Sequence, residues 1–250
     1  MRPSVSFVIP AYNEAETIRG VLEGVLASST TDLEVLVVYD TPEDTTAEVL
    51  QTFFFDEPRV KPTLNTYGRG PANALRFGFD HVTAPITVVM MADGSDDPAD
   101  VDALTRLVER GAVIAAASRY MRGGRQIGGP ILKRILSRLA GLILYHLGRV
   151  GTRDATNSFK AYSTEFTQAV GISSKRGFEM GIELVAKARR ARMKVDETPT
   201  TWRDRETGES RFRVATWIPH YMRWFLFAFG PRLTTDDIAR RTAGRNHSSD

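Results

Sequence analysis

Short runs of β-branched and other apolar residues alternate with helix-period patterns through the first half of the chain, and that alternation admits few folds. Strand-like runs lie at residues 5–9, 33–39, 87–91 and 113–117. Asn13 followed by Glu16 reads as a capping box opening a helix through Leu26, with Ile18, Val21, Leu22 and Val25 on one face. A second helix is expected over about 45–53. A third follows Pro71, with Ala74, Leu75 and Phe79 inward, and a fourth follows Pro98, with Val101, Leu104, Leu107 and Val108 inward. Repeated strand–helix units bury their apolar faces by stacking helices on a mostly parallel sheet, so the expected class is α/β with a Rossmann-like, mostly parallel sheet.

After Tyr120 the texture changes. Gly123 with Gly124, and Gly128 with Gly129, bracket a basic loop, and a long helical pattern then runs over 131–147. A strand is expected over 158–163, a helix around 179–190, a strand around 194–198, a charged loop through Ser210 and an aromatic helix ending at Phe229. Residues 1–230 read as one domain. The polar stretch 231–250 reads as a disordered tail, because Thr, Asp, Arg, Asn and Ser bury little apolar surface.

Composition narrows the chemistry. A chain of 250 residues, 42% hydrophobic and 25% charged, is long enough for a full core without disulfide staples. The absence of Cys excludes a thiol nucleophile and thiolate zinc, and the four His are never spaced as a paired metal site. Only six of the 33 basic residues are Lys; the Arg excess supplies planar, permanently charged forks suited to phosphate. The basic residues are interleaved with acids and no base-stacking aromatic motif is present, which argues against a nucleic-acid partner. The apolar run after Arg2 stops at Pro10, too short for a signal peptide, and no stretch is long enough to cross a bilayer; a cytoplasmic protein with at most peripheral membrane contact is expected.

In open α/β sheets ligands bind beyond the carboxyl ends of the strands. Those positions hold Pro10, Ala11, Tyr12, Asn13 and Glu14 after the first strand, Asp40 and Asp44 after the second, and Asp93, Ser95, Asp96 and Asp97 after the third. Taken singly, Asp44 reads as a helix cap and DGSDDP as an Asx turn. Taken together, acids converging on one crevice repel one another unless a cation lies among them, and hard oxygen ligands select Mg²⁺ or Mn²⁺.

The segments VSFVIPAYNEAETI, VVYDTPEDTT, YGRGPANALRFGF, VVMMADGSDDP, ASRYMRGG, TNSFKAY and WRDRETGESRF, in that order, resemble the motifs of family 2 glycosyltransferases of the GT-A fold, most like the polyprenyl-phosphate or dolichyl-phosphate mannose or glucose synthases. The resemblance implies an inverting, metal-dependent transfer of a hexose from a GDP- or UDP-sugar to a polyprenyl phosphate at the cytoplasmic membrane surface. It implies that Pro10, Ala11, Tyr12, Glu14, Asp40, Gly68, Arg69 and Ala92 frame the nucleotide, and that Asp93 holds the metal with Ser95 where the family often has an amide. It implies further that Arg119, Lys133, Arg134 and Ser137 approach the acceptor phosphate, while Arg205, Ser210 and Arg211 belong to a loop closing over the site. The implied catalytic set is Asp93, Arg119 and Arg205. Two positions depart from the pattern: Met91 stands where the first acid of the metal motif belongs, and Tyr39 where the first acid of the second motif belongs. Asp96 or Asp97 are candidates to compensate in the metal shell.

A phosphate acceptor suits the Arg pattern on chemical grounds. A phosphate monoester is already anionic at neutral pH and needs no general base, but it needs cations to hold it beside an anionic diphosphate. Arg122, Arg125 and Arg203 join the cations already named. For a lipid tail, the 131–148 segment offers Ile131, Ile135, Leu139, Leu142 and Ile143 on one face and Lys133, Arg134, Ser137 and Arg138 on another. The 214–229 segment offers Trp217, Tyr221, Trp224, Phe225 and Phe229. These C-terminal amphipathic helices read equally as core or as membrane-interfacial elements. Two alternatives stand beside this reading: the same fold acting on a hydroxyl of a glycan or small molecule, with Glu179, Glu183 or Asp154 as base, and a catalytically lapsed nucleotide-binding scaffold, for which Met91 and Tyr39 argue.

Overall fold

The computed structural model describes residues 3–28, 32–204 and 214–243. Along the chain run β1 (Val5–Ala11), α1 (Ile18–Ser28), β2 (Leu33–Tyr39), α2 (Thr45–Phe53), β3 (Val60–Leu64), α3 (Pro71–His81), β4 (Ile86–Val89), α4 (Val101–Glu109) and β5 (Ile114–Ser118). They are followed by β6 (Arg125–Ile127), α5 (Ile131–Ile143), β7 (Lys160–Ser163), α6 (Thr164–Val170), α7 (Met180–Ala191), β8 (Val195–Pro199), β9 (Thr201–Arg203), α8 (Val214–Phe227) and α9 (Thr235–Ala243).

Seven strands form one sheet in the order β3-β2-β1-β4-β7-β5-β8, and β6 pairs with β9 in a separate short ribbon. All neighbours in the large sheet are parallel except β7, which runs antiparallel to both β4 and β5. Side chains alternate across a strand, so Phe7 and Ile9 of β1 enter the core under α1, with Ile18, Leu22 and Leu104, while Val8 enters the opposite core with Leu75, Tyr162, Leu184 and Trp224. Covering both faces makes β1 and β2 almost continuously buried, as a central parallel strand requires. The sheet therefore has one open edge of chemistry: the carboxyl ends of β1, β2, β4 and β5, joined by the segment that precedes β7.

Four features differ from the sequence expectations. No capping box opens α1: Asn13 adopts a left-handed φ of 55°, and its side chain accepts from Thr45 N at 3.2 Å across the cleft, so it serves the open N-terminus of α2 instead. The edge strand β3 was not expected because Pro62 interrupts it and most of its residues are solvated; an edge tolerates both. Helix α6 caps itself through Ser163 Oγ, which accepts from Phe166 N. The tail is not wholly disordered: after Leu233 the chain forms α9, and Leu233 and Ile238 bury in the core, enough apolar surface to order an otherwise polar helix.

Candidate functional site

The loop after β1 is tied to α2 rather than to its own helix. Asp44 caps α2 by accepting from Thr46 N at 2.9 Å and also accepts from Asn13 N at 3.0 Å, while Glu14 N donates to Thr46 Oγ1 at 3.0 Å. This stitching leaves Tyr12 half-exposed at the end of β1, beside Pro10 and the buried Ala11. Asp40, after β2, binds a second loop: its Oδ1 accepts from Asn65 Nδ2 at 2.8 Å and its Oδ2 from Gly70 N at 2.7 Å. Asn65 Nδ2 also donates to Gly68 O at 2.7 Å. Gly70 sits at φ 110°, a conformation side chains rarely adopt, and the clamp holds the Gly68–Arg69 turn against the mouth of the cleft. The structure thus brings Pro10, Ala11, Tyr12, Glu14, Asp40, Gly68 and Arg69 to one edge, and Asn65, unmarked in the sequence reading, joins them.

The acidic loop after β4 is less uniform than its sequence. Buried Ala92 leads to Asp93, whose Oδ1 accepts from Ser95 N at 3.1 Å. Asp96 is buried, and its Oδ2 accepts from Met91 N at 3.0 Å. Burial pushes its carboxyl up to about 7 against the Met91 N–H, with the charge of Asp93 adding to the rise. Asp97 accepts from Ala99 N at 3.0 Å and caps the 3₁₀ turn at Pro98–Asp100. Neither Asp96 nor Asp97 behaves as a spare metal ligand: one secures the strand exit and the other a helix start. Among the described residues no three His, Cys, Asp or Glu side chains gather as a metal cage. The donor set at this edge is the Asp93 carboxylate with the Ser95 hydroxyl, hard oxygens that suit Mg²⁺ or Mn²⁺ when substrate phosphates complete the shell.

The cationic half is built on Arg119, directly after β5. Asp154 Oδ2 accepts from Arg119 N at 3.0 Å and Nε at 2.7 Å, and its Oδ1 from a terminal guanidinium nitrogen at 2.9 Å. That nitrogen lies 3.4 Å from Ser137 Oγ, and Ser137 Oγ is 2.6 Å from Thr156 Oγ1. Burial opposes the charge on both partners, yet each holds the other ionised: Arg119 rises above its usual value and Asp154 falls below. Beneath them Lys160 is fully buried, its ammonium bonded to Ala155 O and Asn157 O, and burial pulls it down to about 7. Asp154, Thr156 and Lys160 reach this edge because β7 runs backwards, presenting the segment before it instead of the one after it.

The acids considered as a base for a hydroxyl acceptor are occupied. Asp154 serves Arg119. Glu183 is paired with Lys187 at 2.6 Å in the core and accepts from Ser173 N and Ser174 N. Glu179 accepts from Arg176 N and Gly177 N.

Helix α5 presents its faces in an order opposite to that of a core-packed helix. Lys133, Arg134 and Ser137 are half-buried toward the Arg119 ring, while Ile131, Leu132, Ile135, Leu136 and Leu139 are exposed, by 40–65%. Leu142 and Ile143 are half-buried and lie off that outer stripe. The helix sits close to the segment before β7 because residue 141 is Gly: a Cβ there would meet Arg153 O at 2.0 Å. In α8 the aromatic stripe turns partly inward. Trp224 is buried, 5.5 Å from the Phe227 ring, and the outward positions are Ile218, Met222, Leu226 and Phe229. No described helix is long and apolar enough to cross a membrane. Arg205, Ser210 and Arg211 lie outside the described residues, but the ribbon leading to them touches the site: Arg203 N donates to Ser95 O at 3.1 Å and Asp204 N to Ile127 O at 2.9 Å.

Comparison with known proteins adds the lineage. The model of the family "Glycosyl transferase family 2" matches residues 6–171. The chain is 30% identical over 226 residues to a polyprenol monophosphomannose synthase of Mycolicibacterium smegmatis, covering 84% of this chain and 85% of that protein. It is 27% identical over 232 residues to an undecaprenyl-phosphate mannosyltransferase of Micrococcus luteus, covering 88% and 93%. With a dolichol-phosphate mannosyltransferase of Pyrococcus furiosus the identity is 30%, over 88% of this chain and 62% of that longer protein. Among solved structures, glucosyl-3-phosphoglycerate synthase of Mycobacterium tuberculosis, crystallised with Mn²⁺, UDP-glucose and phosphoglyceric acid, superposes with a TM-score of 0.71 at 16% identity, covering 92% of this chain and 81% of that one; the likeness is one of fold, the GT-A arrangement. The chain belongs to glycosyl transferase family 2.

Proposed function

We propose that this glycosyltransferase moves a hexose from a nucleoside diphosphate sugar to a polyprenyl phosphate at a membrane surface. The observation that carries the reading is the juxtaposition of Arg119, Ser137 and the half-buried Lys133 and Arg134 with an outward apolar stripe on the same helix, α5. A phosphate can sit on the inner face while its prenyl chain follows the outer one. The names of the relatives, which end in transfer of mannose to polyprenol, dolichol and undecaprenyl phosphates, support the same acceptor class.

In this mechanism Pro10, Ala11, Tyr12, Glu14, Asp40, Gly68, Arg69 and Ala92 receive the nucleotide, with the Asp40–Asn65–Gly70 clamp setting the loop. Asp93 and Ser95 hold the divalent ion, Mg²⁺ or Mn²⁺, that when bound offsets charge on the departing diphosphate. Arg119 orients the acceptor phosphate, whose anionic oxygen attacks the anomeric carbon in line, so the configuration inverts and no residue need take a proton. The engagement of Asp154, Glu179 and Glu183 elsewhere favours this over a hydroxyl acceptor, which requires a free base. Arg205, Ser210 and Arg211 are assigned to the loop that closes over the diphosphate.

The test is incubation with GDP-mannose, GDP-glucose, UDP-glucose and Mn²⁺, with a short polyprenyl phosphate or a soluble sugar as acceptor. Release of nucleoside diphosphate that depends on the polyprenyl phosphate is expected. Transfer to the soluble sugar alone would transfer the case to the hydroxyl-acceptor reading, and nucleotide binding with no turnover on any acceptor would indicate a lapsed enzyme.

A further inference from the structure

The acidic loop after β4 contains four Asp within eight residues, yet its hydrogen bonds distribute them to different tasks. Asp97 caps a 3₁₀ turn, Asp96 is buried at 5% exposure under the Met91 amide, and only Asp93, with the Ser95 hydroxyl, stands in the metal motif. Position 91, where the motif that this chain resembles has a second acid, is Met, and a thioether is a poor ligand for a hard cation. Mg²⁺ and Mn²⁺ favour about six oxygens, and Mg²⁺ gives up its water reluctantly, so one carboxylate and one hydroxyl provide too little charge to hold either ion in competition with solvent. A nucleoside diphosphate adds further oxygens and the missing negative charge.

We propose that the divalent ion is not resident in this protein but is delivered with the donor: the free chain leaves Mg²⁺ and Mn²⁺ in solution, and the Asp93 site takes the ion only as its nucleoside diphosphate complex. The proposal rests on the donor reading given above and changes its order of events. Nucleotide and metal enter together, and Met91 is the residue that sets this dependence. Asp93 then recognises the complex rather than preparing the site for it.

The experiment follows the electron paramagnetic resonance signal of free Mn²⁺ on titration with the full chain, alone and with GDP or UDP, each corrected for nucleotide without protein. Wild type alone is expected to leave the signal unchanged; with one of the nucleotides it removes Mn²⁺, and Asp93→Ala abolishes that uptake. Met91→Asp is expected to bind Mn²⁺ without nucleotide at least about ten-fold more tightly than wild type, its folding checked by circular dichroism. Asp96→Asn, which retains an oxygen for the Met91 amide, is expected to keep the nucleotide-dependent uptake unchanged. Wild type that binds Mn²⁺ alone as tightly as Met91→Asp overturns the proposal and leaves the transfer reaction standing. Loss of uptake in Asp96→Asn also overturns it, by placing that acid in the shell, and does so even if Met91→Asp does not fold. Failure of wild type to take up Mn²⁺ with either nucleotide overturns the proposal and the donor reading together.

Discussion

Asp154 holds Arg119 by its backbone amide and by both edges of its guanidinium, three hydrogen bonds of 2.7–3.0 Å from a carboxylate with no solvent exposure. The pair fixes a cation at the end of β5 that the strand alone leaves free to rotate.

Removing one member of such a pair strands the other in a medium that solvates it poorly. Asp154→Asn is expected to lower unfolding free energy by about 3–5 kcal/mol in urea titrations. It is also expected to reduce transfer to polyprenyl phosphate far more than it weakens nucleotide binding, as separate titrations would measure. Unchanged turnover would remove Arg119 from the acceptor site.

Glu34 provides a pH signature remote from the cleft. Burial raises its carboxyl, but Lys61, Ser6 and Thr83 outweigh that and hold it at about 2 against a usual 4.5. The folded state therefore binds this proton less readily than the unfolded chain, so the stabilisation is complete above 4.5 and is lost as pH falls toward 2. Glu34→Gln is expected to cost about 1–3 kcal/mol at neutral pH, and the difference from wild type should shrink by more than half by about pH 3. Parallel denaturation curves at the two pH values check it.

Gly141 is the point where α5 meets the segment carrying Asp154. With Arg153 O lying 2.0 Å from a built Cβ, Gly141→Ala must displace helix or loop. A loss of about 1–3 kcal/mol is expected, with a rise in KM for the lipid acceptor larger than that for the nucleotide sugar. Equal effects on both substrates would mean that α5 does not position the acceptor.

The outer stripe of α5 should tolerate polarity in solution. Replacing Ile131, Ile135 and Leu139 together by Ser is expected to change stability by no more than about 0.5 kcal/mol per site, because all three are solvated already. Sedimentation with anionic vesicles at low salt should fall sharply in the triple variant. Pelleting equal to wild type would exclude this face as the membrane contact.

Much of this architecture is written in local pattern. The runs that became β1, β2, β4 and β5 and the helices between them follow hydrophobic period, and the residues at their carboxyl ends follow from topology. The short segments were hidden: β3 carries Pro62, the β6–β9 ribbon is three residues a strand, and α9 depends on Leu233 and Ile238 finding a core assembled from distant chain. Partnership was hidden too. Asp96 and Asp93 look alike in MADGSDD, and only the fold shows one turned beneath the Met91 amide. Asp154 read as a possible base until its neighbour across 35 residues was known. The apolar stripe of α5 was legible, but period alone cannot say whether such a stripe meets core or solvent.

The reversed strand β7 has a consequence for how the protein can diversify. The segment entering it is locked into the sheet, with Ala117 N bonded to Phe159 O and Asn157 Nδ2 bonded to Ala117 O. The turns after β1, β2 and β3 are instead joined to one another by side chains at the opposite side of the cleft. Changes in those turns can retune which base and sugar are accepted without rebuilding the anchorage for the incoming lipid, so the two halves of specificity are separable modules on one scaffold.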